Sequence, residues 1–198
     1  YYRLGQDQGR IYRVIPKGKD NAAPPNQLAG LSTSELVATL ESSNGWQRDA
    51  AQRRLIREQH AVAIDSLNRL ASTSDSPLAR IHALATLAEL GSLSAEILAP
   101  ALADRHRGVR RQAVRLAANH PVDARQLAAL ASDPDAKVRL QLAVSLGSKS
   151  GSSAASALAQ LASNSADDAY ITANVISSLH PQNIAAVLSA YNDWLRQS

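Results

Sequence analysis

The sequence predicts an all-α solenoid of stacked helix pairs over residues 31–198, preceded by one β-strand and a linker. Three observations predict it. Hydrophobic residues make up 45% of the 198, yet aromatics are only 4% and Phe is absent. The apolar surface is therefore mostly Ala and Leu, small or unbranched side chains that favour helix and let helices approach closely. A phrase opening with Leu recurs five times, at Leu40, Leu70, Leu102, Leu130 and Leu161, with spacings of 30, 32, 28 and 31 residues. Apolar residues around each phrase fall three, four and seven apart, the period of one helix face.

Residues 1–16 stand apart. Tyr1, Tyr2 and Tyr12 gather here, and the run from Gly9 to Pro16 alternates in character as a strand does. A lone strand is not stable, so its partners are expected in a missing upstream domain. The start at Tyr1, with no initiator Met, reads as a fragment of a longer protein. Residues 17–30 are polar, with Gly18 and Pro24-Pro25, and read as a linker.

From residue 31 each unit reads as helix, tight turn, helix. Ser32 and Glu35 form a capping box at the first helix, whose apolar face is Leu36, Val37 and Leu40. After each Leu phrase and turn comes Arg48, Arg80, Arg110 or Arg139, with Thr172 in the fifth place. Three residues on sit Ala51, Ala83, Ala113, Leu142 and Val175. Ser76-Pro77 supplies a cap followed by Pro at the first helical position. Gly91 and Gly147 are expected to close helices in the left-handed conformation. Pro100 falls inside a predicted helix, which it should kink or start late. Five pairs and a last helix, from about Gln182 to Arg196, account for the chain. Stacking is required, because one such pair cannot bury its own apolar stripe.

Several function classes drop away. The absence of Cys removes disulfides, thiol catalysis and Cys-based metal sites. No apolar run reaches the ~20 residues that span a bilayer. His60, His82, His106, His120 and His180 show no i, i+3 or i, i+4 spacing, and no Gly-x-Ser-x-Gly elbow exists. The run Gly147 to Gly151 lacks the strand and ending of a P-loop and reads as a link. Asp133/Asp135 and Asp167/Asp168 read as helix caps rather than acid–base pairs. No catalytic residue, cofactor or metal is expected.

The sharpest candidate is a basic cluster, Arg105, Arg107, Arg110, Arg111 and Arg115, with Arg107, Arg111 and Arg115 on one face at i, i+4 spacing. Such a face suits phosphate or an acidic partner. A solvated face is the bland reading, with Arg110 held structurally. The net charge of +4 is modest, and few aromatics lie near for base stacking, which argues against nucleic acid.

Two segments carry a family resemblance. Pro100 to Asp104 with Val109, Arg110 and Ala113, and Leu130 to Asp135 with Val138 and Arg139, resemble HEAT repeats. That resemblance implies a structural ladder between units made by Asp104, Arg110, Asp133 and Arg139, with units one, two and five departing from it. The wider order resembles the middle of large membrane-bound dehydrogenases of planctomycete-type bacteria. It runs from the Gly9–Val14 strand and Pro-rich link through Leu31–Leu36, Asn44–Asp49 and Leu78–Leu84. There a β-propeller precedes a HEAT-like region and a cytochrome c domain often follows. The resemblance implies a non-catalytic spacer and protein-interaction module. Its partners would be other domains of the parent chain or another protein, and its location extracytoplasmic. The alternative is a nucleic-acid-binding repeat protein using the Arg-rich face.

Overall fold

The computed structural model describes Gly18 and residues 28–59, 61–120, 122 and 124–197. Among these, every regular element is helical. The α-helices are α1 (Thr33–Thr39), α2 (Gly45–Arg57), α3 (Ile64–Thr73), α4 (Pro77–Glu89), α5 (Ala95–Leu102) and α6 (Arg107–Ala117). Then come α7 (Ala124–Ala129), α8 (Ala136–Leu146), α9 (Ser152–Asn164), α10 (Ala169–Ser177) and α11 (Ile184–Gln197). Short 3-10 turns at Ala61–Ala63 and Leu130–Ser132 lead into α3 and extend α7. The expected strand at residues 1–16 lies outside the described residues, as does most of the linker at 17–30.

The packing alternates along the chain. Odd helices touch odd ones, α1 on α3, α3 on α5, α5 on α7, α7 on α9 and α9 on α11. Even helices do the same from α2 to α10. The core lies between these two sets. Leu36, Leu55, Leu67, Leu87, Leu142 and Leu158 are fully buried there. Ala51, Ala83 and Ala113 are also sealed from solvent, on α2, α4 and α6. A methyl group at each of these places lets neighbouring even helices come close without a cavity.

Local chemistry sets the helix ends. The Ser32 hydroxyl accepts from the Glu35 N–H while the Glu35 carboxylate takes the Ser32 N–H at 2.8 Å. Ser76 caps α4, with Pro77 as its first residue. Asp135 and Asp168 cap α8 and α10, each accepting from two backbone N–H groups. Gly91 follows α4 with φ +67°, a conformation that strains any other L residue.

Three details differ from expectation. Gly147 is right-handed (φ −60°), because the chain keeps turning: Ser148 and Lys149 donate to Ser145 and Leu146 carbonyls. Glycine is needed there for space instead, since a Cβ would sit 3.0 Å from Ser178 Oγ and 3.3 Å from Ser178 Cα. The helix containing Pro100 does not start late; it begins at Ala95 and holds Pro100 in its last turn. The last helix begins at Ile184, two residues after Gln182, because Asn183 bridges the turn before it through Ser178 O and the His180 N–H.

Candidate functional site

The recurring arginines make the same bond in four successive helix pairs. One Nη of Arg48 donates to Ser42 O at 2.6 Å, and of Arg80 to Ser74 O at 2.6 Å. Arg110 reaches Asp104 O at 2.9 Å and Arg139 reaches Asp133 O at 2.8 Å. Each acceptor lies six residues earlier, where the odd helix of the pair ends and its carbonyls lack helical partners. The side chain at that acceptor position turns the chain: Ser42, Ser74, Asp104 and Asp133 each accept the N–H two residues on. In the fifth pair Thr172 Oγ1 reaches Ser165 O at 3.4 Å.

Two of these arginines also cross to the next pair. Arg80 grips Asp104 with two bonds of 2.8 Å. Arg110 grips Asp133 at 2.6 and 2.9 Å. Both pairs are bidentate and nearly closed to solvent, so their charges are neutralised in place. Burial opposes charge on Asp133. The Arg110 hydrogen bond, the Asp135 N–H and the nearby arginines outweigh it and hold the carboxyl below its ordinary range. Arg110, bonded to that carboxylate, is held more firmly protonated.

Of the four ladder residues named from sequence, Arg110 and Asp133 therefore pair with each other, Asp104 pairs with Arg80, and Arg139 reaches only carbonyls. Arg80 was missed. Its signal was visible, because it stands in the register of Arg110, thirty residues earlier. Where serine replaces the turn aspartate, the crossing bond is absent: among the described residues, the Nε atoms of Arg48 and Arg139 are buried without a partner. Ser165 Oγ is likewise buried and unpartnered.

The basic cluster divides. Arg110 belongs to the interior, as above. Arg105, Arg107, Arg111 and Arg115 are all exposed. Arg105 lies 3.3 Å from the exposed Asp75 and Arg107 lies 3.4 Å from Asp135. Arg115 donates to Gln112 Oε1 at 3.1 Å, along its own helix. Arg111 and Arg115 line a shallow groove of about 530 Å³ with Gln112 of α6, Lys137, Leu140, Gln141 and Val144 of α8, and Asn174 of α10. Sequence reasoning found the two arginines but not the groove, which exists because α6 packs beside α8 and α8 beside α10.

Other candidates fall into structural places. His82 Nδ1 lies 2.6 Å from Gln52 Oε1, between α4 and α2. Burial pushes its pKa down, the Asp49 charge pulls it back up, and Arg48 opposes the proton again. In the Gly147–Gly151 link, Lys149 Nζ reaches His120 O at 3.3 Å. Among the described residues, no group of three or more His, Asp or Glu is placed to hold a metal. No helix among them is long and apolar enough to cross a membrane.

No family model matches the chain, and no curated protein matches it.

Proposed function

We propose that the chain is a HEAT-like α-solenoid acting as a non-catalytic scaffold. Its place would be that of a spacer between a propeller-type dehydrogenase domain and a downstream domain of a larger bacterial protein. The supporting observation is the arginine clamp repeated at Arg48, Arg80, Arg110 and Arg139. A catalytic centre is built once; a bond made four times at the same place closes each helix pair, and Arg80 and Arg110 extend it to the next pair. The acidic groups best placed for chemistry, Asp104, Asp133, Asp135 and Asp168, are engaged in turns, caps and ion pairs. Function is left to the outer faces of the helices, where other domains or a protein partner would bind.

Two measurements test this. In a solenoid each pair contacts only its neighbours. Deleting residues 152–198 is expected to leave the first four pairs helical, with a urea m-value reduced in proportion to the surface lost. Loss of all helical signal would contradict the solenoid. The intact chain is expected to show no dye-linked oxidation of sugars; saturable turnover would contradict the scaffold.

One observation favours a second reading, the exposed row Arg107, Arg111 and Arg115, which could meet nucleic-acid phosphates. Asp135 neutralises Arg107, and no aromatic residue among those described lines the groove. DNA retained on a filter at low salt, and lost with Arg111→Gln and Arg115→Gln, would support it.

A further inference from the structure

We propose that the groove across α6, α8 and α10 is a docking site for an extended acidic peptide segment of a protein partner. This rests on reading the chain as an interaction module and names the surface and the partner's chemistry. Arg111, Arg115 and Lys137 supply three positive charges, and no carboxylate of the described residues lines the groove. Among the described residues, the side chains of Arg111 and Lys137 have no hydrogen-bond or ion-pair partner, and Arg115 is engaged only with Gln112. The other arginines described above find a carboxylate or a backbone carbonyl.

Two features of this placement work against the helices, although Arg115 in the last turn of α6 suits that helix's dipole. Arg107, Arg111 and Arg115 repeat at i, i+4, where like charges repel. Lys137 sits in the first turn of α8, whose N-terminal dipole disfavours a cation. Helix formation explains neither, whereas an incoming carboxylate relieves both.

The remaining lining selects a peptide. Gln112, Gln141 and Asn174 offer amides that suit the alternating N–H and C=O groups of an extended main chain. Leu140 and Val144 give an apolar floor, and Val144 is 51% exposed, so an aliphatic side chain of the peptide gains from covering it. Two interhelix spacings come to roughly 18 Å, the reach of about five or six extended residues. The expected ligand is therefore a short run of Asp and Glu with an aliphatic residue among them. A nucleic acid would want stacking surfaces that this groove lacks.

The test is fluorescence anisotropy of the full chain with a labelled twelve-residue peptide of Glu and Leu, a matched Gln and Leu peptide, and a twelve-nucleotide single strand. Saturable binding of the Glu peptide is expected, weakening as salt rises, with the Gln peptide at least tenfold weaker. Arg111→Gln with Arg115→Gln and Lys137→Gln should abolish binding. Val144→Ser should weaken it several-fold, which bulk charge attraction would not do. Arg53→Gln with Arg57→Gln, on the exposed face of α2, should leave it unchanged. These positions are exposed or half-buried, and circular dichroism checks each variant's fold. Equal loss from the α2 variant, no effect of the groove variants, or tighter binding of the single strand would overturn the proposal. So would absence of Glu-peptide binding. A chain that passes the deletion and turnover tests but shows none of this binding loses the groove and keeps the scaffold.

Discussion

At the boundary between the third and fourth helix pairs, Arg110 reaches across from α6 and finds Asp133. At the next boundary Arg139 occupies the same place on α8, and serine stands where the aspartate would be. Both arginines clamp a carbonyl of their own pair. Arg110 adds a bidentate ion pair, whereas Arg139 keeps a buried Nε without a partner, as does Ser165 Oγ. The later boundary is closed by neutral bonds instead. Ser178 Oγ donates to Ala143 O at 2.8 Å and Gln160 Nε2 to Ser132 Oγ at 3.0 Å. The first boundary shows a third solution, in which Ser74 donates to Glu41 from the pair before and His82 meets Gln52. One fold position thus tolerates several polar closures. Only the two complete rungs, Arg80–Asp104 and Arg110–Asp133, satisfy every donor of their arginines, while Arg48 Nε at one end and Arg139 Nε at the other stay buried without a partner among the described residues, so both ends of the stack are softer than its middle.

The largest effect should come from breaking the complete rung. The Arg110 and Asp133 side chains are only 13% and 3% exposed. Asp133→Ala strands a buried cation and is expected to cost about 3–5 kcal/mol in urea unfolding. A cost below about 1 kcal/mol would mean the rung is no more than a surface pair. Arg110→Lys keeps the charge but cannot hold a carbonyl and two carboxylate oxygens together. It should cost about 1–2 kcal/mol, while Arg139→Lys, with no carboxylate to lose, should cost less.

The comparison can also be run in reverse. Ser165→Asp gives Arg139 the missing acceptor and is expected to stabilise the chain by about 1 kcal/mol. The gain should vanish in the Arg139→Gln background, which a double-mutant cycle reads directly. A gain that survives there would place its origin elsewhere, for example in the α10 N-terminus.

The smallest effect concerns acid. Burial depresses the His82 pKa, so its contribution to stability is intact above the ordinary histidine range and falls as pH drops through it. Asp133, also depressed, loses its contribution only as pH falls through the lower carboxylate range. The first boundary should therefore soften at milder acidity than the third. His82→Gln is expected to flatten the stability profile between neutral and mildly acidic pH, measured by urea midpoints. An unchanged profile would remove His82 from the account.

Helix placement was largely legible in the sequence, for local reasons. Ser32, Ser76 and Gly91 act through bonds or angles within a few residues, so their types mark helix ends. The register of Arg48, Arg80, Arg110 and Arg139 was legible as well, since spacing along a chain is countable. What each arginine touches was not. Arg80 meets an aspartate 24 residues later and Arg110 one 23 residues later, and only the packing of successive pairs brings them together. Gly147 misled because helix-ending glycines are usually left-handed, and nothing nearby in sequence announces the backbone of Ser178 pressing on it. The groove was invisible for the same reason: Lys137 and Asn174 join Arg111 only through the contacts of three helices.

Native-state hydrogen exchange resolved by helix tests most directly whether the complete rungs make the middle of the stack its firmest part. The amides of α6 and α8 are expected to exchange only through global unfolding, while those of α9, α10 and α11 exchange through a smaller opening of lower free energy. In Ser165→Asp the second class should move toward the first. Uniform protection across all helices, or α9 to α11 outlasting α6, would contradict the account.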